Sequence, residues 1–141
     1  MKNLLLLRHA KSSWKDDSLN DHERPLKKRG KKDAKRIAKV ILENDLIPDL
    51  ILSSSAMRAR ETVAIIIENL DTDIETIFSR ELYMAEPEDF FEILSAIDNP
   101  HQIVMIVGHN PGLEAFLQIL GGEIEALPTA GLAQLVWSEP A

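Results

Sequence analysis

The stretch Asn3-Leu4-Leu5-Leu6-Leu7-Arg8-His9-Ala10-Lys11 decides how this chain is read. Four consecutive leucines, with no polar alternation, suit a strand buried on both faces of a sheet. They run straight into an arginine and a histidine, which such a strand carries at its carboxyl end. Open α/β sheets bind ligands at that edge. A fixed cation beside a potential nucleophile there points to chemistry on an anion.

Downstream of this strand, residues 10–24 are polar and read as a long loop, a feature often tied to function. Trp14 within it is expected to pack the loop down. Pro25 fits the start of a helix. Ala34, Ile37, Ala38, Ile41 and Leu42 then follow helical spacing to about Asn44-Asp45, with the helix proper beginning after Gly30. Residues 49–52 predict a second strand, ending in Ser53-Ser54-Ser55 as N-cap candidates. A helix with Ala59, Val63, Ile66, Ile67 and Leu70 on one face follows. Ile74–Phe78 alternates, predicting a strand with one exposed face. Pro87 opens a helix whose apolar stripe includes Phe90 and Phe91. Ile103–Val107 is the most hydrophobic strand and is expected at the sheet centre. After it, Asn110 reads as an N-cap and Pro111 as the first helical residue. Gly121-Gly122 stops that helix, and Leu132–Trp137 reads as a last strand, antiparallel at or near an edge. Repeated strand–helix alternation predicts a three-layer α/β/α sandwich with a mostly parallel sheet.

The 141 residues fit one domain, 1–141, with a substantial core. The net charge of −7 disfavours nucleic acid and anionic membrane as partners. The Lys- and Arg-rich segment from Arg24 to Lys39 reads as the solvated face of a helix. With no cysteine, disulfides, thiolate catalysis and Cys-based metal sites are excluded. The leucine run is too short for a signal-peptide core, and no stretch reaches the roughly 18–20 apolar residues of a membrane span. A cytoplasmic protein is expected.

Parallel strands place their carboxyl ends on one edge. Arg8 and His9 end the first strand, Arg58 lies just after the second, and Gly108-His109 ends the fourth. Two histidines and two arginines can thus converge on one pocket. Backbone N–H groups at helix starts would add to its anion affinity. No metal-ligand spacing is present, and neighbouring guanidiniums would repel a cation; phosphate suits arginine better. No metal or cofactor is expected.

Arg8-His9-Ala10 resembles the Arg-His-Gly signature of the histidine phosphatase (phosphoglycerate-mutase-like) superfamily. Ser54-Ser55-Ala56-Met57-Arg58-Ala59-Arg60-Glu61-Thr62 resembles its second motif, and Val107-Gly108-His109-Asn110-Pro111 its late histidine motif. The short length and Arg24-Pro25-Leu26 resemble the SixA branch of small phosphohistidine phosphatases. Each motif alone is weak; the ordered set, over nearly the whole chain, is strong. The resemblance implies the phosphoglycerate-mutase-like fold and a phospho-His9 intermediate hydrolysed by water. Arg8 and Arg58 would hold the phosphoryl oxygens, His109 would donate to them, and Arg24 would swing in from the long loop. The arginines should lower the His9 pKa. Ala10 departs from the usual glycine, and Lys27 from the Thr or Ser common after Pro-Leu.

Larger relatives protonate an alkoxide leaving group with a carboxylate, and Glu81 is the candidate by order. An imidazole leaves phosphorus more readily, so a weak or absent acid favours phosphohistidine. The expected partner is a phosphorylated histidine-containing protein or a small phosphate compound. The alternatives are a phosphomonoesterase with Glu81 as general acid and a non-catalytic phosphate-binding module. Arg60, His22 and His101 are read as surface residues.

Overall fold

In the computed structural model, residues 3–97, 101–121 and 127–136 are described. The strands are β1 (Asn3–Arg8), β2 (Leu50–Ser54), β3 (Glu75–Ser79), β4 (Ile103–Gly108) and β5 (Leu132–Val136). The helices are α1 (Lys28–Glu43), α2 (Met57–Leu70), α3 (Pro87–Ser95) and α4 (Gly112–Ile119). The sheet order is β3-β2-β4-β1-β5, parallel except for the β1–β5 pair. This is the predicted sandwich, with β4 central and β5 antiparallel at an edge. Trp137, Gly122 and the other undescribed positions fall outside this account.

Alternation along the buried strands divides the core in two. Leu4, Leu6, Leu50, Leu52, Val104 and Ile106 face one side, where they meet Phe90 of α3 and Leu113 and Phe116 of α4. Leu5, Leu7, Ile51, Met105 and Val107 face the other, against Ala38 and Ile41 of α1 and Ala59, Val63 and Ile66 of α2. The leucine run is unbroken because both faces of β1 are covered.

Several expected boundaries move. The α1 helix begins at Lys28 rather than Pro25, because Leu26 pairs with Ser12 as an isolated antiparallel bridge and so stays extended. Gly30 lies inside the helix and is buried: a Cβ there would sit 2.2 Å from the Lys11 carbonyl oxygen. Neither the serines nor Asn110 cap a helix; α2 has Ala56 and α4 has Pro111 at the N-cap. The Asn110 side chain instead donates to the Glu114 carboxylate and, at 2.8 Å, to the Leu127 carbonyl. Pro87 opens α3 as expected. Phe90 is core, but Phe91 is 45% exposed and meets the core residue Phe116 edge-on. No helix among the described residues is long and apolar enough to cross a membrane.

Candidate active site

Strand register brings the two histidines together. Arg8 on β1 is paired with Gly108 on β4, so the next residues, His9 and His109, leave the sheet side by side. The His9 N–H donates to the Gly108 carbonyl at 3.0 Å, and the rings lie 4.9 Å apart. His9 Nδ1–H donates to the Ala10 carbonyl at 2.7 Å. A carbonyl can only accept, so this bond fixes the tautomer and leaves the Nε2 lone pair available. Ala10 is itself held by its N–H donating to Thr62 Oγ1, whose hydroxyl donates to the Arg58 carbonyl. The end of β1 is thereby tied to the first turns of α2.

His9 is only 7% exposed, and its pKa is lowered to about 4. Burial is the leading cause. The Ala10 hydrogen bond opposes it, and Arg58, Arg8 and Arg24 reinforce it. The arginines expected to set this value are secondary to desolvation. His109 is lowered to about 3, again by burial first, then by His9 and Arg58. Its Nε2 shares a 2.7 Å hydrogen bond with Ser54 Oγ, and its Nδ1 is buried without a partner. Both rings are neutral at neutral pH.

Three guanidinium groups line the same cavity of about 770 Å³. Arg8 donates to the Leu127 carbonyl at 3.2 Å. Arg58, buried in the first turn of α2, donates to the Asp21 backbone carbonyl at 2.6 Å and to its carboxylate at 2.9 Å. Arg24 is buried as well; its Nε donates to Asp21 at 3.0 Å and its Nη1 to Ser12 Oγ at 2.7 Å. Trp14 lies over Arg24, 3.4 Å from ring centroid to guanidinium carbon. It is 74% exposed, so it forms pocket wall rather than packing the loop down. Of the helix starts, those of α3 (Glu86 and Pro87) and α4 (Pro111 and Gly112) line the cavity, as does Lys27 just before α1, whereas α2 contributes the Arg58 side chain.

Asp21 and Tyr83 join the site without having been singled out in the sequence, and Asp21 is the more central. The Asp21 carboxylate joins Arg24, Arg58 and the Tyr83 hydroxyl. Burial opposes its ionisation, but hydrogen bonds from Tyr83, Arg58 and Arg24 prevail and hold its pKa far below the usual carboxylate range. The only sequence signal was its position three residues before Arg24. Tyr83 also packs edge-on against His22 and His109. His22 is half-buried, sharing a 2.8 Å hydrogen bond with Ser55 Oγ, rather than a free surface residue. His101 lies away from the cavity, beside Asp49 and Glu75. Arg60 is exposed, as expected.

Glu81 is not brought to the site. It is exposed and absent from the cavity lining, because Arg80–Leu82 form a 3-10 turn that buries Leu82 instead. Among the described residues, the carboxylates that line the cavity are Asp21 and Glu86. Among the described residues, no group of three or more His, Asp or Glu is placed to hold a metal ion.

Residues 4–82 match the family model for the histidine phosphatase superfamily, branch 1. A chloroplastic protein of Arabidopsis thaliana is 37% identical over 143 residues, covering 95% of this chain, which spans 66% of that protein's length. A Mycobacterium tuberculosis protein is 30% identical over 140 residues, covering 92% of this chain and 85% of its own. Among solved structures, the Agrobacterium tumefaciens protein assigned as phosphohistidine phosphatase SixA has a TM-score of 0.88 at 35% identity, covering 96% of this chain and 91% of that one. The protein histidine phosphatase SixA complexed with tungstate has a TM-score of 0.84 at 19% identity, over 94% of this chain and 86% of that one, a likeness of fold. The motif order in the sequence, the paired histidines at the β1 and β4 ends and these matches agree that the chain belongs to the histidine phosphatase superfamily, in its SixA-type branch.

Proposed function

We propose that the protein is a phosphohistidine phosphatase that works through a phospho-His9 intermediate. One observation carries this reading: His9 is kept uncharged by burial, with Nδ1 engaged by Ala10, beside three arginines. In the first step Nε2 attacks phosphorus as the bond from phosphorus to the substrate nitrogen breaks. A substrate ring already protonated on its far nitrogen departs as neutral imidazole, so the enzyme need supply no proton. Water then attacks phospho-His9, releasing inorganic phosphate and restoring the imidazole. Splitting one displacement into two lowers each barrier. Arg8, Arg24 and Arg58 balance charge on the phosphoryl oxygens in both transition states, and His109 is proposed to donate to the same oxygens. In the resting site Asp21 holds Arg24 and Arg58 in place until the phosphoryl group arrives.

The scheme takes its positive charge from guanidinium groups and calls on no metal. A phosphomonoesterase using Glu81 as acid is a weaker reading, since that carboxylate lies outside the cavity. A pure phosphate-binding module has no use for a neutral imidazole with a directed lone pair. The test is rapid quenching with a ³²P-labelled phosphohistidine peptide. An acid-labile, base-stable label on the wild-type protein, absent from His9→Ala, is expected. Label persisting in His9→Ala would sink the mechanism.

A further inference from the structure

The charge of this chain is divided sharply along its length. Residues 1–39 hold thirteen Lys and Arg against five Asp and Glu, whereas residues 40–141 hold three against eighteen. All nine lysines precede residue 40. A net charge of −7 therefore conceals a segment of +8 joined to one of −15.

Much of that positive charge lies on α1. Lys28, Lys31, Lys32, Lys35 and Lys39 each lie three or four residues from another of the set, so they form one exposed stripe along the helix. At 1.5 Å rise per residue it is about 16 Å long. The opposite face, Gly30, Ala34, Ala38 and Ile41, is buried. Among the described residues, Lys28, Lys31, Lys32 and Lys35 have no carboxylate within salt-bridge distance; Asp33 pairs with Arg36, and Glu43 with Lys39.

This arrangement works against the helix. The first turn of α1 carries no acidic residue, and its cations sit at the positive end of the helix dipole. Lysine pairs at i,i+4, such as 28/32 and 31/35, repel one another. A solvated face chosen for stability would alternate sign. Local rules broken without local compensation mark functional surface.

The stripe also has a place. It starts at the cavity rim: Lys27, the residue before α1, lines the cavity together with Lys11, and the Lys27 N–H donates to the Lys11 carbonyl at 3.0 Å. Whatever surface surrounds a phosphohistidine seated in the cavity must lie over this rim. Nucleic acid fits poorly, because the rest of the molecule is strongly acidic. We propose that the α1 lysine stripe is the docking surface for an acidic face of the phosphohistidine-bearing protein. The stripe steers that protein to the site and sets which phosphohistidines are reached. The proposal rests on the phosphohistidine phosphatase reading and names its substrate class.

The experiment uses the full chain and three synthetic 21-residue peptides with one central phosphohistidine. Their flanks carry Glu, Gln or Lys at the same positions; ten-residue arms, at about 3.3 Å per residue, reach past the stripe. The comparison protein replaces Lys28, Lys31, Lys32 and Lys35 with Gln, a good helix former. None of these four lines the cavity. Wild type is expected to prefer the Glu peptide over the Gln peptide by more than tenfold in kcat/KM at low salt, with the Lys peptide worst. The preference should fall below twofold in the variant and shrink with added salt, while turnover of free phosphoramidate stays equal in both proteins. Equal use of the three peptides by wild type, or a Glu preference that survives in the variant, overturns the docking surface alone. Capture of wild type but not variant by phosphatidylglycerol vesicles, without discrimination among peptides, assigns the stripe to a membrane and also overturns it. Failure of wild type to hydrolyse phosphoramidate and every peptide strikes the phosphatase reading, and the docking proposal with it.

Discussion

A buried neutral histidine ties stability to pH with a definite sign. His9 and His109 titrate near 4 and near 3 in the folded protein, against an ordinary value of about 6.5. Between about pH 6.5 and 4 the unfolded chain therefore binds protons that the folded one refuses, and stability falls as pH falls. The loss is on the order of a few kcal/mol for the pair, complete below the folded values. Asp21 does not contribute in this window, because both its folded and unfolded forms are ionised through most of it. Urea unfolding at pH 7.5 and pH 5.0 checks this: the wild-type midpoint should drop, and it should drop less in a His9→Gln/His109→Gln double variant. An equal drop in both proteins would place the protons elsewhere. At this scale the sequence showed Arg8, His9, Arg58 and His109, because each ends a strand or opens a helix within a recognisable motif. It did not show Asp21 or Tyr83. Their importance lies in contacts with each other and with Arg58, across 37 and 62 positions of chain, which no local pattern records.

At the scale of elements, the approach of the Lys11 backbone to α1 decides what the helix can hold. Residue 30 would ordinarily favour alanine in a helix, by about 1 kcal/mol over glycine. Here a Cβ would meet the Lys11 carbonyl oxygen at 2.2 Å, a backbone atom that cannot swing aside. That carbonyl accepts the Lys27 N–H and lies two residues after His9. Gly30→Ala is therefore expected to destabilise by about 1–3 kcal/mol, as overpacking does. A lowered denaturant midpoint shows this; a raised one would mean that intrinsic propensity rules and the contact is loose. The same crossing explains why α1 starts late. Pro25 is a good first helical residue, but Leu26 is drawn into extended pairing with Ser12. The serines at the end of β2 and Asn110 after β4 do not cap helices for a related reason. Each is a sound N-cap by type, yet Ser54 is recruited by His109 and Asn110 by Glu114 and Leu127. The strands were legible because hydrophobic runs are read locally, whereas caps compete with tertiary partners.

At the scale of the molecule, the arrangement of the described elements decides which carboxyl groups reach the site. Among the described residues, five strands and four helices deliver three guanidiniums and two neutral imidazoles to one edge, but they leave Glu81 on the surface. Asp21 is committed as an ionised partner of arginines and cannot donate a proton. Glu86 remains at the outer wall of the cavity. An alkoxide leaving group needs a proton in the transition state, a contribution of roughly 10²–10⁴-fold when an acid supplies it. A nitrogen leaving group protonated beforehand does not. The fold is thus expected to favour phosphoramidate over a simple alkyl phosphate by at least about 10²-fold in kcat/KM, the low end of that contribution. Glu81→Gln should change neither rate by more than about twofold, since general acid catalysis requires reach before it requires pKa. If Glu81→Gln or Glu86→Gln cuts the alkyl phosphate rate tenfold while sparing phosphoramidate, that carboxyl is the missing acid and an ester is the better substrate. If wild type turns over both compounds equally, leaving-group chemistry does not set specificity, and the site selects by contacts around the phosphoryl group instead.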